Sequence, residues 1–164
     1  MKKNWKIIIL CIFGFTLFYV TGCNPSRKWA KEEQMEIENY LGTLGDTVVV
    51  SKPSGLYYIE LRPGTGIMPI EKDTVVIKYT GSFLDRQLFA SNLEDTTAYY
   101  FIVGAFQVID GIDEGVRYMK EGGKARLLTP SKLAYGTMGY GIIPGYTPLL
   151  WEIELVKVKP GSKK

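Results

Sequence analysis

VVIKYTG at residues 75–81, QVIDGIDEGV at 107–116, LAYG at 133–136 and GIIPGYTPLLWEIEL at 141–155 are the four segments that decide the fold of this chain. The first and last alternate apolar and polar residues with the period of two expected of half-buried strands. The second has the period of a helix. Ile112, Val116 and Met119 recur at i, i+4 and i+7 and share one helical face, Asp110 with Asp113 three residues on can cap the start, and Gly122 suits the end.

Outward from these segments, period two extends over Val48–Val50, Gly55–Leu61, Asp73–Leu84, Ala98–Val103, Lys124–Thr129 and Leu149–Val158, separated by turn signals such as Arg62-Pro63-Gly64 and Glu121-Gly122-Gly123. Several strands and one short amphipathic helix predict an α+β domain, because one face of an antiparallel sheet needs a cover and one helix can supply it. Upstream, Trp29–Leu44 is rich in Glu and Lys, with Ile37, Tyr40, Leu41 and Leu44 on one face. That pattern predicts a helix over Lys28–Leu41, ended by Gly42 and Gly45, whose stripe packs on the main domain or on a partner. A plain spacer helix is the simpler alternative.

Composition excludes much. There is no histidine, so histidine metal sites, histidine general bases and Ser-His-Asp or Cys-His nucleophiles are ruled out. The two cysteines, Cys11 and Cys23, both lie near the start, so a disulfide inside the folded domain is impossible and neither a metal nor a cofactor is expected. The net charge of +3 comes from Lys2, Lys3 and Lys6; beyond Cys23 the charges balance at seventeen of each sign, which gives no reason to expect a nucleic-acid surface.

Those three lysines precede Ile7–Val20, 14 residues without charge, the pattern of a basic n-region and an apolar h-region. As a helix the run would span roughly 21 Å, short of the ~30 Å hydrocarbon core. Val20-Thr21-Gly22-Cys23 resembles the bacterial lipobox, which implies cleavage before Cys23, lipidation of its sulfur and membrane attachment through the lipid. A plain signal peptide and an uncleaved anchor are the alternatives. Asn24–Lys28, polar and carrying Pro25, reads as a flexible tether.

The four segments, in this order and spacing, resemble the FKBP family of peptidyl-prolyl isomerases from about Leu56 to Lys157. The resemblance implies a bent antiparallel sheet wrapped around one short helix, preceded here by the N-terminal helix, with 1–22 a lipoprotein signal peptide, 23–52 a lipid-anchored tether and helix, and 53–160 the isomerase domain. It implies that Tyr79 and Phe89 are pocket walls, that Ile109 offers a backbone N–H and Tyr135 a hydroxyl to substrate carbonyls, and that these four are catalytic. Tyr99, Phe101, Val108, Ile112, Tyr140, Ile142, Ile143 and Trp151 would complete the substrate pocket. Taken alone, on strands, Tyr79, Phe101 and Trp151 read as core or cross-strand packing residues before they read as ligand contacts.

Two positions depart from the family's pattern. Ala90 stands where an aspartate commonly follows the wall phenylalanine, and Ile112 where many members have a tryptophan floor. The expected partners are proline-containing peptides or unfolded exported proteins, and the expected place is the bacterial cell envelope, on the outer membrane facing the periplasm. Three functions remain open: an isomerase, a peptide-binding chaperone with little catalysis, and a scaffold of an envelope complex docking through the N-terminal helix.

Overall fold

A computed structural model describes residues 25–95 and 98–161. The elements run α1 (Pro25–Gly42), β1 (Val50–Ser51), β2 (Tyr57–Arg62), β3 (Thr74–Ser82), β4 (Leu88–Ser91), β5 (Tyr99–Ile102), α2 (Asp110–Val116), β6 (Lys124–Thr129), a 3₁₀ turn (Ser131–Leu133) and β7 (Leu149–Lys159). The strands form one antiparallel sheet in the order β1-β2-β6-β7-β3-β4, with β5 also paired to β3. This is the α+β architecture that the strand and helix periods predict.

Alternation sorts the side chains onto two faces of the sheet. Val75, Ile77, Leu127, Trp151, Ile153 and Leu155 point one way and join Ile112, Val116 and Met119 in the main core. Close approach of α2 to the sheet requires its glycines: a Cβ on Gly115 would sit 2.2 Å from Leu127 Cδ1, and one on Gly111 2.3 Å from Thr129 Cγ2. Leu128 and Leu150 point the other way and are covered by Ile37 and Tyr40 of α1. The helical stripe therefore packs on the domain itself, each fully buried apolar side chain contributing about 1.5–3 kcal/mol.

Several boundaries differ from the sequence reading. Helix α1 begins at Pro25, so the tether expected over Asn24–Lys28 is helical from its second residue; proline is tolerated in a first turn because its missing N–H has no intrahelical partner there. Asp110 is not the cap of α2. Ile109 holds the N-cap position in extended geometry and makes no side-chain cap bond, while Asp113 accepts a hydrogen bond from the Gly104 N–H at 2.8 Å and pairs with Arg117 at 2.7 Å. The helix stops at Val116, and Arg117, Tyr118 and Met119 donate to carbonyls three residues back in tighter turns, which leaves Gly122, at φ +83°, in the turn into β6. In place of Val48–Val50 the strand is only Val50–Ser51, whose ladder partners among the described residues are Tyr58 and Tyr57. Strand β4 is too short and polar-flanked to show a period in the sequence.

On the outer face Glu152 joins Arg126 and Lys124 across β6 and β7. Burial alone would raise its carboxyl; the hydrogen bonds and charges of the two cations outweigh it and hold Glu152 below the usual carboxylate range. A lowered folded-state value stabilises above the unfolded pKa of ~4.3, and that contribution is lost as pH falls through the folded value. Glu152→Gln accordingly lowers the melting temperature at neutral pH, and the gap from wild type closes below about pH 4. Thermal melts across pH check this; a gap constant with pH would contradict it.

Candidate active site

On β3, Ile77, Tyr79 and Gly81 face inward at alternate positions. Gly81 is opposite both Ala90 of β4 and Trp151 of β7. A Cβ there would lie 2.6 Å from Trp151 Cζ3 and 2.8 Å from Phe89 Cε2, so the glycine is the space into which two aromatic rings close. The rings form a continuous wall: Phe89 meets Trp151 edge-on at 5.4 Å, Trp151 meets Tyr79 at 5.9 Å, and Tyr79 meets Tyr99 edge-on at 5.9 Å. Edge-on and tilted pairs at these distances are favoured by the ring quadrupoles.

These rings border a cavity of about 360 Å³ lined by Ile77, Tyr79, Phe89, Ala90, Tyr99, Gln107, Val108, Ile109, Ile112, Tyr135, Tyr140, Gly141, Ile142, Ile143 and Trp151. Eleven of the twelve residues expected at the site are thus brought together. The twelfth, Phe101, is buried in the core, 6.4 Å from the Tyr99 ring and outside the lining. Ile77, Ala90, Gln107 and Gly141 line the cavity besides those eleven. Two residues before Tyr79 on the same strand, Ile77 could have been found from the period alone. Gln107 could not, because its role depends on a loop geometry in which its Oε1 accepts the Ile102 N–H at 2.8 Å.

The polar groups of the cavity are few. Ile109 reaches it from the N-cap of α2; its carbonyl accepts from Ile112 and Asp113, and its N–H donates to no group among the described residues. Tyr135 follows the 3₁₀ turn and stacks on Tyr140, centroids 5.2 Å apart at 15°. Tyr140 and Ile143 exchange backbone hydrogen bonds, both 2.9 Å, across a tight turn at Gly141 (φ +58°), which leaves Tyr140 and Ile142 exposed over the cavity and Ile143 buried. Glycine is required nearby: a Cβ on Gly139 (φ +71°) would meet the Ile143 carbonyl oxygen at 2.2 Å.

Asn92, which the sequence does not single out, supports the wall from behind. It is buried, accepts the Tyr79 N–H through Oδ1 at 2.7 Å, and donates from Nδ2 to the Ile77 carbonyl at 3.1 Å. Its side chain thus fixes the backbone of the strand that carries the Tyr79 wall.

Burial, then the neighbouring phenol of Tyr140 and that of Tyr79, raises the Tyr135 hydroxyl above its ordinary value; burial, then Tyr99 and Asp95, does the same for Tyr79. Both remain neutral donors at physiological pH. Among the described residues no group of three or more His, Cys, Asp or Glu side chains gathers to hold a metal. What remains is an apolar, aromatic-walled cleft with an unpaired amide N–H and neutral hydroxyls, able to enclose a small ring and hydrogen-bond a carbonyl beside it.

Comparison with known proteins agrees with this geometry. The family described as FKBP-type peptidyl-prolyl cis-trans isomerase matches residues 66–156. The "FKBP-type peptidyl-prolyl cis-trans isomerase FkpA" of Aeromonas hydrophila is 38% identical over 137 residues, covering 82% of this chain and 50% of that protein, so the chain spans about half the length of this relative. The "FK506-binding protein" of Neisseria meningitidis serogroup B is 38% identical over 105 residues, 63% of this chain and 96% of its own. The crystal structure of FkpA from Escherichia coli superposes with a TM-score of 0.73 at 28% identity, covering 99% of this chain and 75% of that one. With its sheet wrapped on one short helix and its family segments lining one cavity, this chain belongs to the FKBP-type peptidyl-prolyl cis-trans isomerase family.

Proposed function

We propose that the chain is a peptidyl-prolyl cis-trans isomerase that acts without covalent chemistry on proline-containing segments of unfolded exported proteins. The observation that carries the reading is the cleft itself: aromatic walls around about 360 Å³ with the unpaired Ile109 N–H in the lining. Rotation about an X-Pro bond is opposed by a barrier of ~18–20 kcal/mol from lost amide resonance. Holding the proline ring against Tyr79, Phe89, Tyr99 and Trp151, over Val108, Ile112 and Ile143, removes water from the twisting amide. The Ile109 N–H and Tyr135 hydroxyl then hydrogen-bond carbonyls of the twisted state, with Tyr140 and Ile142 closing over the peptide. Each tenfold acceleration needs about 1.4 kcal/mol of preference for that state.

Ala90 supplies no carboxylate, and the Tyr79 hydroxyl makes no hydrogen bond among the described residues, so that phenol is free to turn toward substrate. Isomerisation of proline tetrapeptides by the full chain in detergent tests the reading, with Tyr135→Phe and Ala90→Asp alongside. Wild-type turnover that falls about tenfold in Tyr135→Phe, the loss of one hydrogen bond in the transition state, supports it. An inactive wild type that gains activity in Ala90→Asp replaces it with the peptide-holding reading. Exposed apolar residues beside the cleft, Phe106, Met138, Tyr140 and Ile142, favour that second function on the same surface.

Because the cleft lining holds no histidine, cysteine or carboxylate, kcat/KM is expected to stay flat across neutral pH and to decline only in the strongly alkaline range, since burial raises the Tyr135 hydroxyl above its ordinary value and delays the loss of its proton. A bell-shaped profile centred near neutral pH would contradict the assignment.

For the remainder of the chain we propose an envelope lipoprotein: signal peptide 1–22, acylated Cys23, the helix-bearing segment to residue 52 and the isomerase domain over 53–160, tethered to the outer membrane and facing the periplasm. Residues 1–24 lie outside those described, and the support is the basic n-region, the apolar run and Val20-Thr21-Gly22-Cys23. Mass spectrometry of the mature N-terminus should find acyl chains on Cys23; an intact Met1 rejects the anchor.

A further inference from the structure

Helix α1 does more than cover the sheet. Its Glu33 reaches across 98 positions of sequence to Ser131, accepting the backbone N–H at 2.6 Å through one carboxylate oxygen and the side-chain hydroxyl at 2.8 Å through the other. Ser131 is the first residue of the 3₁₀ turn and is buried. Its own carbonyl accepts from the Ala134 N–H at 2.9 Å and the Gly136 N–H at 2.8 Å, the two amides that flank Tyr135. One residue therefore has both its donors held by α1 and its acceptor holding both sides of the site tyrosine. Hydrogen bonds to a carboxylate are shorter and roughly twice as strong as neutral ones, and burial of Ser131 limits competition from water.

The helix is a firm support at that point. Glu33, Ile37 and Tyr40 fall on one face at i, i+4 and i+7, and Ile37 and Tyr40 pack on Leu128 and Leu150. Leu128 lies three residues before Ser131, so α1 grips both the end of β6 and the turn that follows it. Leu133, Ala134 and Tyr135 also pack against the main core, while the turn's other backbone hydrogen bonds among the described residues are local: Leu133 N–H to the Pro130 carbonyl at 2.9 Å, Tyr146 N–H to the Gly136 carbonyl at 2.9 Å and Gly139 N–H to the Tyr135 carbonyl at 3.1 Å.

We propose that Glu33 is a positioning residue of the site: through Ser131 it fixes the turn that presents Tyr135, so the N-terminal helix is a working part of the isomerase domain. The proposal rests on the isomerase reading for its effect on rate, whereas the coupling itself is independent of that reading. A hydroxyl that serves only the twisted state must be held within tenths of an ångström, so a looser turn lowers kcat more than it raises KM.

The test uses the full chain in detergent with Glu33→Ala, Glu33→Gln, Ser131→Ala and the double Glu33→Ala, Ser131→Ala variant. Glu38→Ala serves as control, since among the described residues Glu38 bonds only Gln34, on the exposed side of α1. Glu33→Ala is expected to lower kcat/KM about tenfold, mostly in kcat, with Glu33→Gln recovering most of it because the amide oxygen still accepts the Ser131 N–H. The double variant should be no worse than Glu33→Ala alone, as residues acting in one chain are non-additive. Amide exchange at Ala134 and Gly136 should quicken about tenfold in Glu33→Ala and remain unchanged in Glu38→Ala. Turnover within about twofold of wild type together with unchanged exchange at those amides overturns the proposal. So does an exchange increase spread evenly over β6, β7 and the turn, which would mean that α1 only adds stability. If wild type does not isomerise, the function reading fails while exchange at Ala134 and Gly136 still decides the coupling.

Discussion

Replacement of Asn92 by alanine is expected to cost the domain roughly 2–6 kcal/mol and to abolish most of the proposed isomerase activity, two groups being left unpaired at about 1–3 kcal/mol each. The reason lies in how β3 changes partners. On one edge it pairs with β5 over Thr74–Ile77 and with β4 over Thr80–Ser82, and between them neither strand reaches it. Asn92 fills that interval. Its carboxamide bonds the Ile77 carbonyl and the Tyr79 N–H, and its own backbone N–H donates to the Tyr79 carbonyl at 3.2 Å. The alanine variant keeps only the last of these. Asn92→Asp keeps the acceptor for Tyr79 but sets a carboxylate against the Ile77 carbonyl, so it too is destabilised. Denaturant unfolding should show a lower midpoint at an unchanged slope. A midpoint within error of wild type would mean that water replaces the side chain at no cost, and the account of this interval would fail.

The second large effect is expected from Gly81→Ala. A single methyl group placed 2.6 Å from Trp151 Cζ3 and 2.8 Å from Phe89 Cε2 cannot be accommodated by rotating a flexible chain end, because both neighbours are rigid rings packed on further rings. Phe89 is held against Phe83 at 5.2 Å and Trp151 against Tyr79, so the displacement passes along the whole wall. Overpacking of this kind costs about 1–3 kcal/mol. The cleft suffers more than the fold, since the proposed isomerisation depends on its shape; a fall in kcat/KM of about tenfold or more is expected, corresponding to ~1.4 kcal/mol or above. Steady-state assays alongside a thermal melt separate the two. Wild-type kinetics in a stable variant would show that the rings move apart freely and that the wall is not tightly set.

The contrast between these two positions explains what could be read in advance. Gly81 belongs to VVIKYTG, a segment recognisable as such, although the sequence gives no reason for the glycine until Phe89 and Trp151 are seen to converge on it. Asn92 has no local signature at all. An asparagine in a polar stretch after β4 is a turn residue by default, and only the gap between two edge partners of β3 makes it a buried clamp. Similarly, Asp110 and Asp113 have the spacing of a helix start, yet tertiary contacts with Gly104 and Arg117 claim Asp113 and leave the cap unformed.

From the sequence alone came the strands, the inner face of α2, the apolar stripe of α1, the absence of histidine chemistry and nearly the whole lining of the cleft. The elements follow from period and composition, which are local or nearly local properties, whereas the lining was implied by the resemblance of the four segments to the FKBP family. Tertiary structure alone decided that α1 closes on this chain's own sheet, that Phe101 faces the core and not the cleft, that Asn92 bridges β3, and that Glu33 holds the turn of Tyr135. Each of these is a contact between residues whose partners are set by how sheet, helix and loop stack in space, and a polar side chain carries no mark of which distant amide it will meet.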